Sequence, residues 1–180
     1  EWKKDNGITD DDLITVYQAP SDDNEGSSES EDQEGAKPVT PASKSVLGTT
    51  DYYKFRRDDF QKRYGKNKKA PTYYMSYGDK YAQRFSSELY PKLSGQGKNW
   101  LIKTRYYLQI MMENGLADNP AMELDDKAFT DFAFDTHPEA YIQGGLLELG
   151  FNDKLEIALT PDVQDLMSPG GIKQMGIIMK

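Results

Sequence analysis

Apolar residues return at helical spacing through much of residues 73–159. Tyr74, Tyr77, Tyr81, Phe85 and Leu89 recur every three or four positions, which places them on one helix face. Pro91 ends that run, because proline has no N–H and clashes with the preceding turn. Ser94 is placed to cap a second helix. Trp100, Leu101, Thr104, Tyr107, Leu108, Met111 and Met112 form its stripe, while Lys98, Lys103, Arg105, Gln109 and Glu113 fall mostly off it. Asn114-Gly115 predicts a left-handed end for this helix. Asp125 or Asp126 caps a third helix that carries Ala128, Phe129, Phe132 and Ala133.

Later starts share one device. His137-Pro138, Thr160-Pro161 and Ser168-Pro169 each place a proline at a first helical position. Gly144-Gly145 and Gly150 break the pieces between them. Asn152 is placed to cap a short helix with Leu155, Ile157 and Leu159, and residues 172–179 show helical spacing at the end. No alternating strand pattern occurs in residues 51–180. The expected fold class is all-α: a compact multi-helix C-terminal domain with two longer helices followed by several short ones.

The chain before residue 51 shows no such period. Residues 21–36 carry seven carboxylates, no basic residue and no large apolar side chain. Such a stretch cannot bury enough surface to offset the entropy of ordering it, so a disordered acidic linker is expected. Residues 37–50, rich in Pro, Ser and Thr, continue it in more extended form. The expected organisation is therefore residues 1–18, a linker over 19–50, and a helical domain over 51–180. Charge divides at the same place. Residues 1–36 hold 12 acids and 2 bases, while residues 37–180 hold 18 acids and 20 bases. The formal charge of −8 thus belongs to the N-terminal part, and the domain is faintly basic.

Several chemistries are bounded from below. There is no cysteine, so disulfides, thiolate metal sites and Cys nucleophiles are excluded. No apolar run reaches the roughly 18–20 residues of a membrane helix, and no signal peptide is visible. The opening Glu1 reads as a trimmed or processed start with an upstream address missing. No G-x-S-x-G occurs, and the glycine clusters at 94–97 and 168–171 lack the lysine of a phosphate loop. No cofactor is expected.

Three sets of residues are candidates for function. Residues 54–69 hold eight Lys/Arg against two Asp, interleaved with Phe55, Phe60 and Tyr64. Lys54, Arg56, Arg57, Lys62, Arg63, Tyr64, Lys66, Lys68 and Lys69 are the candidate binding residues. Such a mixture suits a nucleic acid backbone, an anionic cell-wall polymer or membrane headgroups. It also suits the chain's own acidic stretch, or a plain solvated helix face. Among the tyrosines, Tyr52, Tyr53, Tyr73 and Tyr106 lie off the clearest stripes and are candidates for stacking on sugars. The sole imidazole, His137, completes a D-x3-D-x-H-x-E pattern with Asp131, Asp135 and Glu139; Asp131, Asp135 and His137 are candidate divalent-metal ligands, although a helix end, a turn and a capped proline start account for the same residues without a ligand. A glycosidase needs two carboxylates, one with a raised pKa, and Glu88 and Glu139 are the candidates for the acid.

Residues 1–18 resemble the second half of a LysM repeat. Asn6, Ile8, Asp10, Asp12, Ile14 and Gln18 stand where that family has an Asn-x-Ile turn and its final short strand. The first strand and helix of the repeat are absent, and Val16-Tyr17 replaces the usual Pro-Gly. Residues 77–114 with 132–167 are similar in style to helical C-terminal domains of modular bacterial effector proteins, as around contractile injection systems. The resemblance implies an envelope-associated or secreted bacterial protein, cytoplasmic before export. Its LysM-like part would contact peptidoglycan or another anionic polymer, or a protein of a secretion or injection assembly, and the linker would tether a helical cargo or binding domain. A peptidoglycan-degrading, muramidase-like enzyme is the alternative, and a non-catalytic adaptor of an injection machine is another.

Overall fold

The computed structural model describes residues 35–160. The LysM-like residues 1–18, most of the acidic stretch, the Ser168-Pro169 start and the pattern at 172–179 lie outside the described residues. Within them the fold is all-α, and no strand occurs among the described residues.

The helices are α1 (Tyr52–Tyr64), α2 (Lys80–Arg84), α3 (Gly95–Asp118), α4 (Asp126–Asp135), α5 (His137–Gln143) and α6 (Phe151–Leu159). The run expected from Tyr74 to Leu89 is helical throughout but uneven. Wide π turns over Tyr74–Asp79 and Phe85–Leu89 flank α2, and a 3-10 turn over Tyr90–Lys92 closes it at Pro91. Ser94 caps α3 as expected, its hydroxyl accepting from Gly97 N–H at 3.2 Å. Asp125 caps α4 by accepting from Lys127 and Ala128 N–H, both at 3.0 Å. Asn152, in contrast, lies inside α6, which starts behind Gly150 without a side-chain cap.

The helix α3 does not end at Asn114-Gly115; it runs one turn further to Asp118. Gly115 serves close packing instead of a left-handed turn. A Cβ there would stand 2.2 Å from the Phe132 ring, so only glycine lets α4 approach this near.

The helix α3 runs through two apolar clusters. Its first half contributes Trp100 and Leu101 to a cluster with Leu89, Tyr141, Leu146 and Ile157. Its second half contributes Tyr106, Ile110 and Leu116 to a cluster with Tyr52, Tyr73, Tyr74 and Phe129. The rings there meet edge to face, with Tyr74 and Phe129 centroids 5.0 Å apart. Tyr52, Tyr53, Tyr73 and Tyr106 are all buried in this cluster. None of the four therefore offers an exposed face for stacking on sugars: Tyr52 and Tyr106 are core residues, and Tyr53 and Tyr73 reach only an internal cleft.

Residues 37–50, expected as linker, are packed on the body. Ala42 and Leu47 are buried. Without a helix or sheet of its own, this strap pairs its backbone with side chains of α1 and α3. Ala42 N–H donates to Glu113 Oε2 at 2.8 Å, and Gly48 N–H to Gln109 Oε1 at 2.5 Å. Gln109 Nε2 and Arg105 Nε return donors to Thr49 O and Gly48 O, each at 2.8 Å. This is why Gln109 and Glu113 are buried although they sit off the apolar stripe.

A charged network lies beneath the strap. Arg56 is fully buried; it donates to Thr40 O and stands 3.4 Å from Glu113 and 3.6 Å from Asp59. Glu113 also accepts from Tyr52 OH at 2.6 Å. Arg63 joins Asp59 at 2.8 Å to Glu123, which accepts from Tyr74 OH at 2.5 Å. Burial pushes the Asp59 carboxyl upward, but hydrogen bonds from Thr40 N–H and Arg63, with the charges of Arg56 and Arg63, leave its pKa below the usual carboxylate value.

Candidate anion-binding groove

The basic segment 54–69 separates into two sets. One set is used internally. Arg56 and Arg63 belong to the network under the strap. Lys54 stands 3.5 Å from Asp51 and 3.7 Å from Asp79. Tyr64 is not an open stacking platform: Arg63, Lys37 and Lys68 lie 5.2, 5.4 and 5.6 Å from its ring centre. Its hydroxyl accepts from Lys37 N–H at 2.7 Å. This set holds the chain together where the strap begins.

The other set faces water. Gly65, at φ 88°, ends α1 in a conformation that suits glycine. The chain then turns, with Lys68 N–H donating to Gly65 O at 3.2 Å. The turn exposes Lys66, Lys68 and Lys69. Thr72 N–H is fixed to Asp126 at 2.6 Å on the far side. Between the turn and α1 lies an open groove of about 550 Å³. Arg57, Lys66, Lys68 and Lys69 line it, with Gln61 and Asn67 as neutral donors and acceptors and Met75 as an apolar patch. No carboxylate is among the lining residues. Arg57 is bound to Asp58 at 2.8 Å, a pair that is partly exposed and so weak. Lys62 is exposed and lies outside the groove lining.

The carboxylate candidates are placed apart. Glu88 is exposed on the surface and paired with Arg84 at 3.1 Å. The hydrogen bond from Arg84 holds its carboxyl below the usual value, the direction opposite to that of a general acid. Glu139 is exposed and accepts from Gln143 Nε2 at 2.8 Å. Glu88 shares a small surface pocket with Glu156, a residue that no sequence spacing singled out, and not with Glu139.

The metal set does not assemble among the described residues, where no three His, Asp or Glu side chains converge. Asp131 is exposed and paired with Lys127, and Asp135 is exposed. His137 is buried and donates Nδ1–H to Ala133 O at 2.8 Å. Burial drives its pKa down to about 4, only partly offset by hydrogen bonds to the Ala133 and Phe134 carbonyls. An unfolded histidine titrates near 6.5, so between these values the unfolded chain takes a proton that the fold refuses. Stability is therefore full above about pH 6.5 and falls toward pH 4, by ~3 kcal/mol at the lower end. Urea unfolding at pH 7, 5.5 and 4 measures this slope. His137→Gln is expected to flatten it, and an equally steep slope in that variant would assign it to other groups.

The composition of the segment located the groove, but it did not divide its cations. The dividing signal is the pairing of Arg56 and Arg63 with carboxylates from distant helices, which no local spacing displays. No family model, curated protein or solved structure matches this chain.

Proposed function

We propose that the helical domain is a non-catalytic anchoring module that holds an anionic polymer, most simply one of the bacterial cell wall, in the groove of Arg57, Lys66, Lys68 and Lys69. The single observation behind this reading is that four cations line one open groove with no carboxylate among them. A long polyanion suits such a surface better than a compact ligand. The groove is open, its lysines are flexible, and a chain of charges gains from releasing counterions at each contact. The LysM-like residues 1–18 would supply a second contact to the same wall, in an envelope-associated or secreted protein. Two weak contacts on one chain raise the overall affinity through effective concentration.

Co-sedimentation of the full chain with purified bacterial walls at 50 and 200 mM salt tests the reading. Four phosphate-like contacts predict a loss of ~50–150-fold in affinity over that range. Binding that is unchanged by salt would remove the groove from the account. Clearing of wall turbidity that is lost in Glu88→Gln or Glu139→Gln would replace it with the enzymatic alternative.

A further inference from the structure

A second site lies between the π turns around α2, the middle of α3, and α5. It is a partly open cleft, with about 530 Å³ of space when the solvent in its mouth is counted. The space in it that bound atoms can fill is about 50 Å³, room for about four waters or part of one flat ring, so a larger ligand would lie partly in the mouth. Tyr53, Tyr77, Tyr81, Phe85, Trp100 and Tyr141 form the walls. Tyr81 and Phe85 stack with centroids 5.9 Å apart and make one wall flat. The wide turns bring this wall close to α1: at Gly78 a Cβ would stand 2.5 Å from the Tyr53 ring.

The cleft has one charged wall residue, Arg105, and no carboxylate. Arg105 is half-buried. Its Nε donates to Gly48 O and its Nη1 to Ser86 Oγ, both at 2.8 Å and both neutral acceptors. No carboxylate pairs with it among the described residues, in contrast to Arg56 and Arg63. Burial holds its pKa below the usual guanidinium value, which reflects a cation without a counter-charge. Some other polar groups of the walls have partners of their own. Trp100 Nε1–H donates to Tyr141 O at 3.0 Å, and the Tyr53 and Tyr73 hydroxyls bond each other. Arg105 is thus the one cation in a cleft lined mostly by aromatic rings.

We propose that this cleft binds a small aromatic carboxylate, with its ring against the tyrosine, phenylalanine and tryptophan walls and its carboxylate on the Arg105 guanidinium. Arginine is suited to this partner because its planar fork matches a carboxylate. The site is distinct from the basic groove and does not depend on what the groove holds.

Trp100 stands in the wall and reports occupancy. It is one of two tryptophans, so Trp2→Phe leaves it as the sole indole. The full chain in that background is titrated with benzoate and with benzamide, its neutral isostere, by fluorescence. Benzoate is expected to give a saturable change at least about tenfold tighter than benzamide. Arg105→Met should bring benzoate down to the benzamide level, and Lys66→Gln with Lys68→Gln and Lys69→Gln should leave it unchanged. No saturable response to benzoate, or equal affinity for the two ligands, overturns the proposal. So does unchanged benzoate binding in a folded Arg105→Met chain. The benzoate–benzamide comparison needs no substitution in the cleft, so it decides the matter even where Arg105→Met does not fold.

Discussion

Glu113→Ala is expected to destabilise the protein by about 3–5 kcal/mol, the cost of breaking a buried ion pair by removing one partner. Arg56 would remain fully buried with its nearest carboxylate gone. Two more groups would be affected: Ala42 N–H, which holds the strap, would lose its acceptor, and the Tyr52 hydroxyl would keep only the longer bond to Gln109 O at 3.3 Å. For a domain of this size the loss corresponds to ~10–20 °C in Tm. Glu113→Gln keeps the shape and part of the hydrogen bonding, so a smaller loss is expected. The double change Arg56→Met with Glu113→Leu removes both charges and should recover much of the loss, as apolar replacements of buried pairs often do. Urea unfolding of the three variants measures the series. A Glu113→Ala chain within about 1 kcal/mol of the parent would show that the network is not what holds the strap.

The second large effect concerns the groove. Neutralising Arg57, Lys66, Lys68 and Lys69 together to Gln is expected to weaken polyanion binding by ~100-fold at 50 mM salt and to flatten its salt dependence. These side chains carry no buried pairing; the one ion pair among them, Arg57 with Asp58, is at the surface. Stability should therefore change by less than about 1 kcal/mol. Neutralising Arg56 or Arg63 would do the reverse, costing stability at once because both serve the interior. The eight basic residues of the segment thus divide by consequence as well as by position.

Helical periodicity made the class of fold legible. The face of Tyr74, Tyr77 and Tyr81, the Ser94 cap and the Asp125 cap each follow a local rule, and each is present in the structure. Local rules failed where a distant segment set the environment. Gly115 has the look of a helix end because Asn-Gly favours the left-handed turn, but the Phe132 ring decides its role. Gln109 and Glu113 have the look of solvated positions, yet the strap buries them. The strap itself has no apolar period, since it is held through its backbone. Its composition therefore resembles a linker.

The candidate site was legible to the same degree. Charge density pointed to residues 54–69, and the Gly65 turn keeps Lys66, Lys68 and Lys69 outside. Whether a given arginine faces water depended on Glu113 and Glu123, residues fifty or more positions away in sequence. The cleft at Arg105 left no local trace at all. Its walls come from α1, the turns around α2, α3 and α5, and Arg105 is one ordinary off-stripe cation of a long helix.

The most direct measurement is the affinity of the full chain for purified cell walls at 50 mM salt, compared with the Arg57, Lys66, Lys68 and Lys69 to Gln variant at matched Tm. An anchoring groove predicts binding that falls by ~100-fold in the variant while Tm stays in place. Equal affinity of the two chains, with both folded, would contradict it.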